Sequence, residues 1–213
     1  MKILLINPIY PDRPQAVFFP LGLAYVASSL IKEGHQVDVL DINGLQLSEK
    51  EALAELAKRD FDLAGTGGIV TAYGHIKWLL ASLKAMKPHI PLVVGGGLAS
   101  AMPDLLLEKT AADIAVLGEG EVTMPELART IENRTPLSGV KGIYYKHGLG
   151  IMRNPQREAV KDLDNLPFPT WDLFPVEQYI CNMEEYSYVP SRTMRVLANR
   201  SCPFRCSFCY HPL

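Results

Sequence analysis

Five short apolar runs recur in the first 118 residues, and between them lie stretches whose apolar positions have helical spacing. Lys2–Asn7 (KILLIN), Gln36–Asp41 (QVDVLD), Phe61–Gly65 (FDLAG), Ile90–Gly95 (IPLVVG) and Asp113–Gly118 (DIAVLG) are too short for helices. Their Ile, Val and Leu content is that of strands buried on both faces. Leu21, Ala24, Tyr25, Ser28 and Ile31 form one helical stripe, and Ile76, Leu79, Leu80 and Leu83 form another. Ser48 and Glu51 make a capping box for a helix carrying Leu53, Leu56 and Ala57, and Met124, Leu127, Ala128 and Ile131 give a helix after the fifth run. Five such strand–helix units predict an α/β fold: a doubly wound parallel five-stranded sheet of flavodoxin or Rossmann type, with strand order 2-1-3-4-5.

The 213 residues exceed what that sheet needs, and three residue types show how the excess is organised. All 16 Gly lie at or before Gly150, seven of the 16 Pro lie from Pro155 onward, and three of the four Cys fall in the last 12 residues. Val140–Tyr145 and Leu149–Arg153, separated by Lys146-His147-Gly148, predict a β-hairpin. Asp162–Pro175 (DLDNLPFPTWDLFP) is too proline-punctuated for helix or central strand and predicts an irregular strap. The expected domains are therefore 1–135, an α/β body; 136–190, hairpin and strap; and 191–213, a terminal cysteine segment. Cysteines crowded at one end are not a disulfide framework. A net charge of −2 disfavours a nucleic-acid partner, no apolar run approaches a membrane span, and the expected setting is cytoplasmic.

Ligands of such sheets sit beyond the carboxyl ends of the strands. Those ends read Asn7-Pro8, Asp41-Ile42-Asn43, Gly65-Thr66-Gly67-Gly68, Gly95-Gly96-Gly97 and Gly118-Glu119-Gly120-Glu121. Three glycine clusters on one rim point to a crevice where backbone approaches a ligand closely. Candidate contacts are Asn7, Gly65, Thr66, Gly67, Gly68, Thr71, Gly95, Gly96, Gly97, Gly118, Glu119 and Gly120. No cluster completes G-x-G-x-x-G, because Val70, Ser100 and Thr123 occupy the third-glycine positions, and no phosphate-binding P-loop occurs. The long first loop, Pro8–Pro20, carries four prolines and suggests a structured lid over a large ligand. His75, at a helix start near Gly65–Gly68, could approach the same site. The residues alone lead to a large planar or extended ligand at the sheet edge.

Cys202-Pro-Phe-Arg-Cys206-Ser-Phe-Cys209 is C-x3-C-x2-C, three thiols in eight residues. Such spacing admits a [4Fe–4S] cluster with one iron left open, or a zinc knuckle completed as Cys3His by His211, or uncommitted thiols in a tail. Thr193–Ser201 upstream predicts a strand leading into the cysteine loop, and the aromatic Phe208 precedes the last cysteine.

C-x3-C-x-aromatic-C after a strand resembles the radical S-adenosylmethionine (SAM) enzymes. That resemblance implies Cys202, Cys206 and Cys209 as iron ligands, with the open iron chelating SAM; Cys181 matches no part of the motif. The body has its own likeness. KILLINP, Phe19-Pro-Leu-Gly-Leu-Ala-Tyr25, Glu33-Gly-His-Gln-Val37, Val94-Gly-Gly-Gly97, Leu117-Gly-Glu-Gly-Glu121 and Asp164-Asn-Leu-Pro-Phe-Pro169 together resemble the N-terminal cobalamin-binding domain of class B radical SAM proteins. This implies that the Gly-rich rim holds the corrin, with the nucleotide tail between sheet and helices. The D-x-H-x-x-G motif, whose His lies beneath cobalt in many cobalamin domains, is absent: the residues two before the five histidines are Glu33, Tyr73, Lys87, Tyr145 and Cys209. The expected cofactor is therefore base-off cobalamin without a His lower ligand, joined in the intact enzyme by a [4Fe–4S] cluster and SAM. The implied reaction of that enzyme is methyl transfer to an unactivated centre or anaerobic oxidative cyclisation of a tetrapyrrole. Implied partners are the chain's own C-terminal radical SAM barrel, a small-molecule substrate and an electron donor. The resemblance makes 191–213 the first strand and cluster loop of a truncated barrel, and with four residues after Cys209 the expectation is an excised N-terminal portion, inactive alone. The competing reading is a non-enzymatic flavodoxin-like binding or signalling domain with a zinc-binding Cys3His tail.

Overall fold

The computed structural model describes residues 1–10 and 18–184, then 192–194, 196–197, 199–200, 202, 204 and 206–208. Within them, β1 (Lys2–Asn7), β2 (Gln36–Asp41), β3 (Leu63–Gly67), β4 (Leu92–Gly95) and β5 (Ile114–Val116) run parallel in the order β2-β1-β3-β4-β5. The expected flavodoxin- and Rossmann-like sheet is present, with the expected order. Alternation along β1 shows why it is covered twice. Leu4 and Ile6 face one core with Leu56, Ile76, Leu79 and Leu83, from α2 (Glu49–Ala57) and α3 (Tyr73–Met86). Ile3 and Leu5 face the other, with Ala24, Ala27 and Leu30 of α1 (Leu21–Lys32) and Leu127 and Ala128 of α6 (Gly120–Glu132).

Ser48 forms the expected capping box: its Oγ accepts from Glu51 N at 3.3 Å while Glu51 Oε2 accepts from Ser48 N at 2.9 Å. Between β4 and β5 the helical segment is split into α4 (Gly96–Ala101) and α5 (Pro103–Lys109). Pro103 explains the break, because it lacks an N–H and is accommodated at a helix start.

The sheet has seven strands rather than five. β6 (Ile143–His147) and β7 (Gly150–Arg153) are the expected hairpin, but β6 pairs antiparallel with β5 and extends the same sheet. The edge of β5 would otherwise be open, and the hairpin covers it while burying Ile143 and Tyr145. The first hairpin strand begins at Ile143 instead of Val140 because Gly142 adopts φ +76°, which interrupts extended backbone.

The strap is irregular as expected, containing only two single 3-10 turns, Leu163–Asn165 and Trp171–Leu173. It is followed by a helix the sequence pattern did not anticipate, α7 (Val176–Glu184). Phe19 gathers Trp171, Phe174 and Tyr179 around itself at ring-centroid distances of 4.7, 5.0 and 5.4 Å, so strap and α7 fold back on the start of α1. The strand expected over Thr193–Ser201 is corrected in part: its described residues, 193–194, 196–197 and 199–200, belong to no strand. Val196 and Leu197 are exposed, and a lone segment without a ladder partner has no reason to stay extended. Residues 195, 198 and 201 lie outside the described residues, as does most of the expected Pro8–Pro20 lid. Among the described residues, no helix is long and apolar enough to cross a membrane.

Candidate functional site

The carboxyl ends of β1, β3, β4 and β5 open into a cavity of about 400 Å³. Asn7, Gly65, Thr66, Gly67, Gly68, Gly95, Gly96, Gly118, Glu119 and Gly120 all line it. Thr71 and Gly97 do not. Thr71 is exposed in the turn after β3, and Gly97 has rotated into the first turn of α4, where an added Cβ would meet Ile69 Cγ2 at 3.5 Å.

Two walls of the cavity are backbone packed on its neighbours. A Cβ on Gly67 would lie 2.8 Å from Gly95 O, and one on Gly96, held at φ +77°, 3.0 Å from Gly68 N. Leu98 N donates to Gly68 O at 2.8 Å, tying the tips of β3 and β4 together. On the far side, a Cβ on Gly120 would approach Val26 Cγ2 to 2.9 Å, so glycine there lets the start of α6 pack closely against α1. Leu5, Val93, Val116 and Met124 supply an apolar interior between the sheet and the α1–α6 layer.

The wall at β1 is polar and buried. Asn7 Nδ2 donates to Asp41 Oδ1 at 2.7 Å and to Tyr179 OH at 3.2 Å. Tyr179 OH in turn donates to Asp41 Oδ2 at 2.8 Å, and Gly44 N to Asp41 Oδ1 at 2.7 Å. Burial pushes the Asp41 carboxyl above its ordinary value, against the pull of these hydrogen bonds. Burial and the neighbouring Asp41 push the Tyr179 phenol far up, so it stays a donor. Tyr10 enters from the first loop, its hydroxyl 3.0 Å from the position of a Cβ on Gly68; burial raises its phenol as well.

The mouth carries charge. Arg200 Nη1 donates to Glu119 Oε1 at 3.1 Å and Nη2 to Glu121 Oε1 at 2.6 Å, with the guanidinium 5.1 Å above the Tyr25 ring. Sequence reading missed Glu121, Arg200, Tyr10 and Tyr179 as site residues. Glu121 stood in the quoted Gly-Glu-Gly-Glu run and was legible; Arg200 and Tyr179 reach the site only through tertiary folding.

His75 is outside the cavity lining: its Nδ1 accepts from Ile9 N at 3.2 Å and its ring lies 4.9 Å from Trp78. Burial lowers its pKa, so the neutral Nε2–H tautomer fits this contact. Cys202, Cys206 and the unrelated Cys181 are exposed, while Cys209 and His211 lie outside the described residues. Among the described residues, no three metal-ligating side chains come together.

The B12 binding domain family matches residues 12–128, more than half of the chain. An uncharacterized methyltransferase of Pyrococcus horikoshii is 29% identical over 98% of this chain and 45% of its own length. The anaerobic magnesium-protoporphyrin IX monomethyl ester cyclase of Synechocystis is 27% identical over 98% of this chain and 42% of its own. The chain thus spans less than half of these relatives. Among solved structures, the radical SAM methyltransferase TsrM of Kitasatospora setae, with cobalamin and a [4Fe-4S] cluster bound, superposes with a TM-score of 0.64 at 28% identity, covering 72% of this chain and 30% of that one.

Proposed function

Because this chain belongs to the B12-binding domain family, we propose that its crevice holds cobalamin as the cofactor module of a cobalamin-dependent radical SAM enzyme. The observation that carries this is a cavity whose rim is backbone and whose interior is apolar. Gly65–Gly68, Gly95, Gly96 and Gly118–Gly120 let a wide flat ring settle against peptide edges. About 400 Å³ suits a base–sugar–phosphate tail far better than a whole corrin, so the tail enters between sheet and helices while the ring stays at the mouth. That division is base-off binding. His75, engaged with Ile9, leaves no imidazole on the cavity wall among the described residues.

Asn7 and Thr66 hold the polar edge of the cavity: Thr66 Oγ1 is committed to Ile6 O at 2.9 Å, and the Asn7 amide N–H groups to Asp41 and Tyr179. These bonds fix both side chains before any ligand arrives, which lowers the ordering cost of binding. Leu5, Val26 and Met124 exclude water around the buried part of the ligand. Cys202, Cys206 and Cys209 would hold a [4Fe–4S] cluster, a role that requires thiolates kept reduced and so accords with a cytoplasmic setting. In the whole enzyme, bound cobalamin would supply methyl-group or one-electron chemistry, and a cluster held by the three cysteines would supply, from an electron donor, the electron that cleaves SAM. Methyl transfer and tetrapyrrole cyclisation both lie within the proposal, since relatives of each kind match. A C-terminal barrel would bring the small-molecule substrate.

Mixing the chain with hydroxocobalamin, desalting and recording the visible spectrum tests the proposal. Retained corrin absorbance at the base-off position is expected; a corrin-free protein peak overturns it. Anaerobic iron and sulfide reconstitution of a longer chain tests the cysteines, and stoichiometric zinc in their place would favour the signalling-domain reading.

A further inference from the structure

Arg200 occupies a position that cofactor binding by the body alone does not explain. It stands two residues before Cys202 in the chain, yet it lines the cavity and bridges two carboxylates at the start of α6, Glu119 at the N-cap and Glu121 in the first turn. Glu121 is almost fully buried, its side chain 5% exposed, and Arg200 is 19% exposed, so this is not a solvated surface pair. An isolated carboxylate at that depth is costly, and the guanidinium is what neutralises it. Glu119 is shared further: its second oxygen accepts from Val160 N at 2.5 Å. The start of α6, the stretch between β7 and the strap, and the cysteine segment therefore converge on one carboxylate pair and one cation. Tyr25 of α1 closes the arrangement beneath the guanidinium.

Guanidinium geometry adds a second consequence. Two of its five N–H groups serve the glutamates, and the other three have no partner among the described residues. They belong to a side chain on the cavity wall, and a corrin is rimmed by amide side chains whose carbonyl oxygens accept hydrogen bonds. We propose that Arg200 is a positioning residue that registers the cysteine segment against the cofactor cavity through Glu119 and Glu121, while offering its remaining N–H groups to the amide rim of the bound corrin. This rests on the cobalamin reading and extends it: corrin binding and the placement of the cysteine segment become one linked event, because the same guanidinium takes part in both.

The test uses the 213-residue chain with methylcobalamin, whose methyl group occupies the upper cobalt position and keeps free thiols from ligating it. Corrin affinity is measured by absorbance titration. Backbone hydrogen exchange is followed in peptides covering the glycine rim and in the peptide covering 196–208. In the wild type, methylcobalamin should protect both regions. Arg200→Gln should weaken corrin binding about tenfold, the size of a lost hydrogen bond from a charged group. It should abolish corrin-dependent protection of 196–208 while the rim remains protected. Arg200→Lys keeps the charge but not the fork that spans two carboxylates, and should fall between. Because a buried carboxylate pair without its cation could unfold the chain, Arg200→Gln is also made together with Glu119→Gln and Glu121→Gln. That triple variant should fold and still lose protection of 196–208. Unchanged affinity and unchanged protection of 196–208 in the folded variants would overturn the role of Arg200 alone. No methylcobalamin binding by the wild type would overturn the cobalamin reading, and this proposal with it.

Discussion

The two flanks of the cavity are built on different physical rules. At β3 and β4, backbone packs on backbone, with Gly67 against Gly95 and Gly96 against Gly68, and no side chain intervenes. At β1 and β2, a knot of side chains joins Asn7, Asp41 and Tyr179, the last from a helix 138 residues beyond Asp41. The glycine flank is specified locally, and changing it means adding atoms where none fit. The polar flank is specified by the strap returning to the sheet, and changing it means stranding buried donors. One flank therefore fails by overpacking and the other by lost satisfaction.

The largest effect should come from the polar flank. Asp41→Ala removes the acceptor of three buried donors: Asn7 Nδ2, Tyr179 OH and Gly44 N. Each stranded donor costs about 1–3 kcal/mol, and Asn7 and Tyr179 can still bond one another, so a loss of about 3 kcal/mol or more is expected in chemical denaturation. The carboxylate has its own signature in pH. Its folded pKa lies above the ordinary 3.8, so the folded state holds the proton more tightly than the unfolded chain. Asp41's contribution is then greatest below that ordinary value and declines as pH rises through the raised folded value. The stability of the wild type relative to Asp41→Asn should fall with rising pH across that window. A difference that rises instead would mean that the hydrogen bonds outweigh burial.

Gly67→Val comes next. Its first added carbon would lie 2.8 Å from a backbone oxygen that has no rotamer to yield, so β3 and β4 must separate. Overpacking of this kind costs about 1–3 kcal/mol. It also displaces the rim, so corrin retention should fall more steeply than stability. Retention equal to that of the wild type would remove the β3–β4 rim from the ligand site.

Tyr179→Phe should cost about 1 kcal/mol, because the ring stays packed against Phe19 and only its hydroxyl is lost. Measured by thermal melting, this substitution separates the knot from the aromatic cluster that surrounds it. A change indistinguishable from zero would assign the docking of α7 to ring packing alone.

How much of this was legible follows the same division. Sheet order, the two-sided core and the glycine rim came from short-range patterns: short apolar runs, helical stripes and clusters at strand ends. Thr71 and Gly97 lie off the cavity lining, because adjacency in sequence does not reveal where a turn or a first helical residue points. The seventh-strand edge, α7 and the Asp41–Tyr179 bond are long-range choices. Nothing near Tyr179 in the sequence announces that its hydroxyl ends beside Asp41. Arg200 shows the same limit, since its partners precede it by about eighty residues.

Ser48→Ala gives the smallest expected effect and decides whether the others mean what they are taken to mean. Ser48 caps α2 at the far side of the sheet from α1 and α6, and its bonds to Glu51 are exposed. Loss of such a cap costs about 1 kcal/mol, close to the value expected for Tyr179→Phe, but touches neither flank of the cavity. Corrin retention should therefore be unchanged. If it fell in step with stability, retention would be reporting the folded fraction rather than the site, and the losses at Gly67 and Asp41 could not be assigned to their flanks. If it held while Gly67→Val lost the corrin, local construction of the rim would be separated from global stability by a substitution that alters only the second.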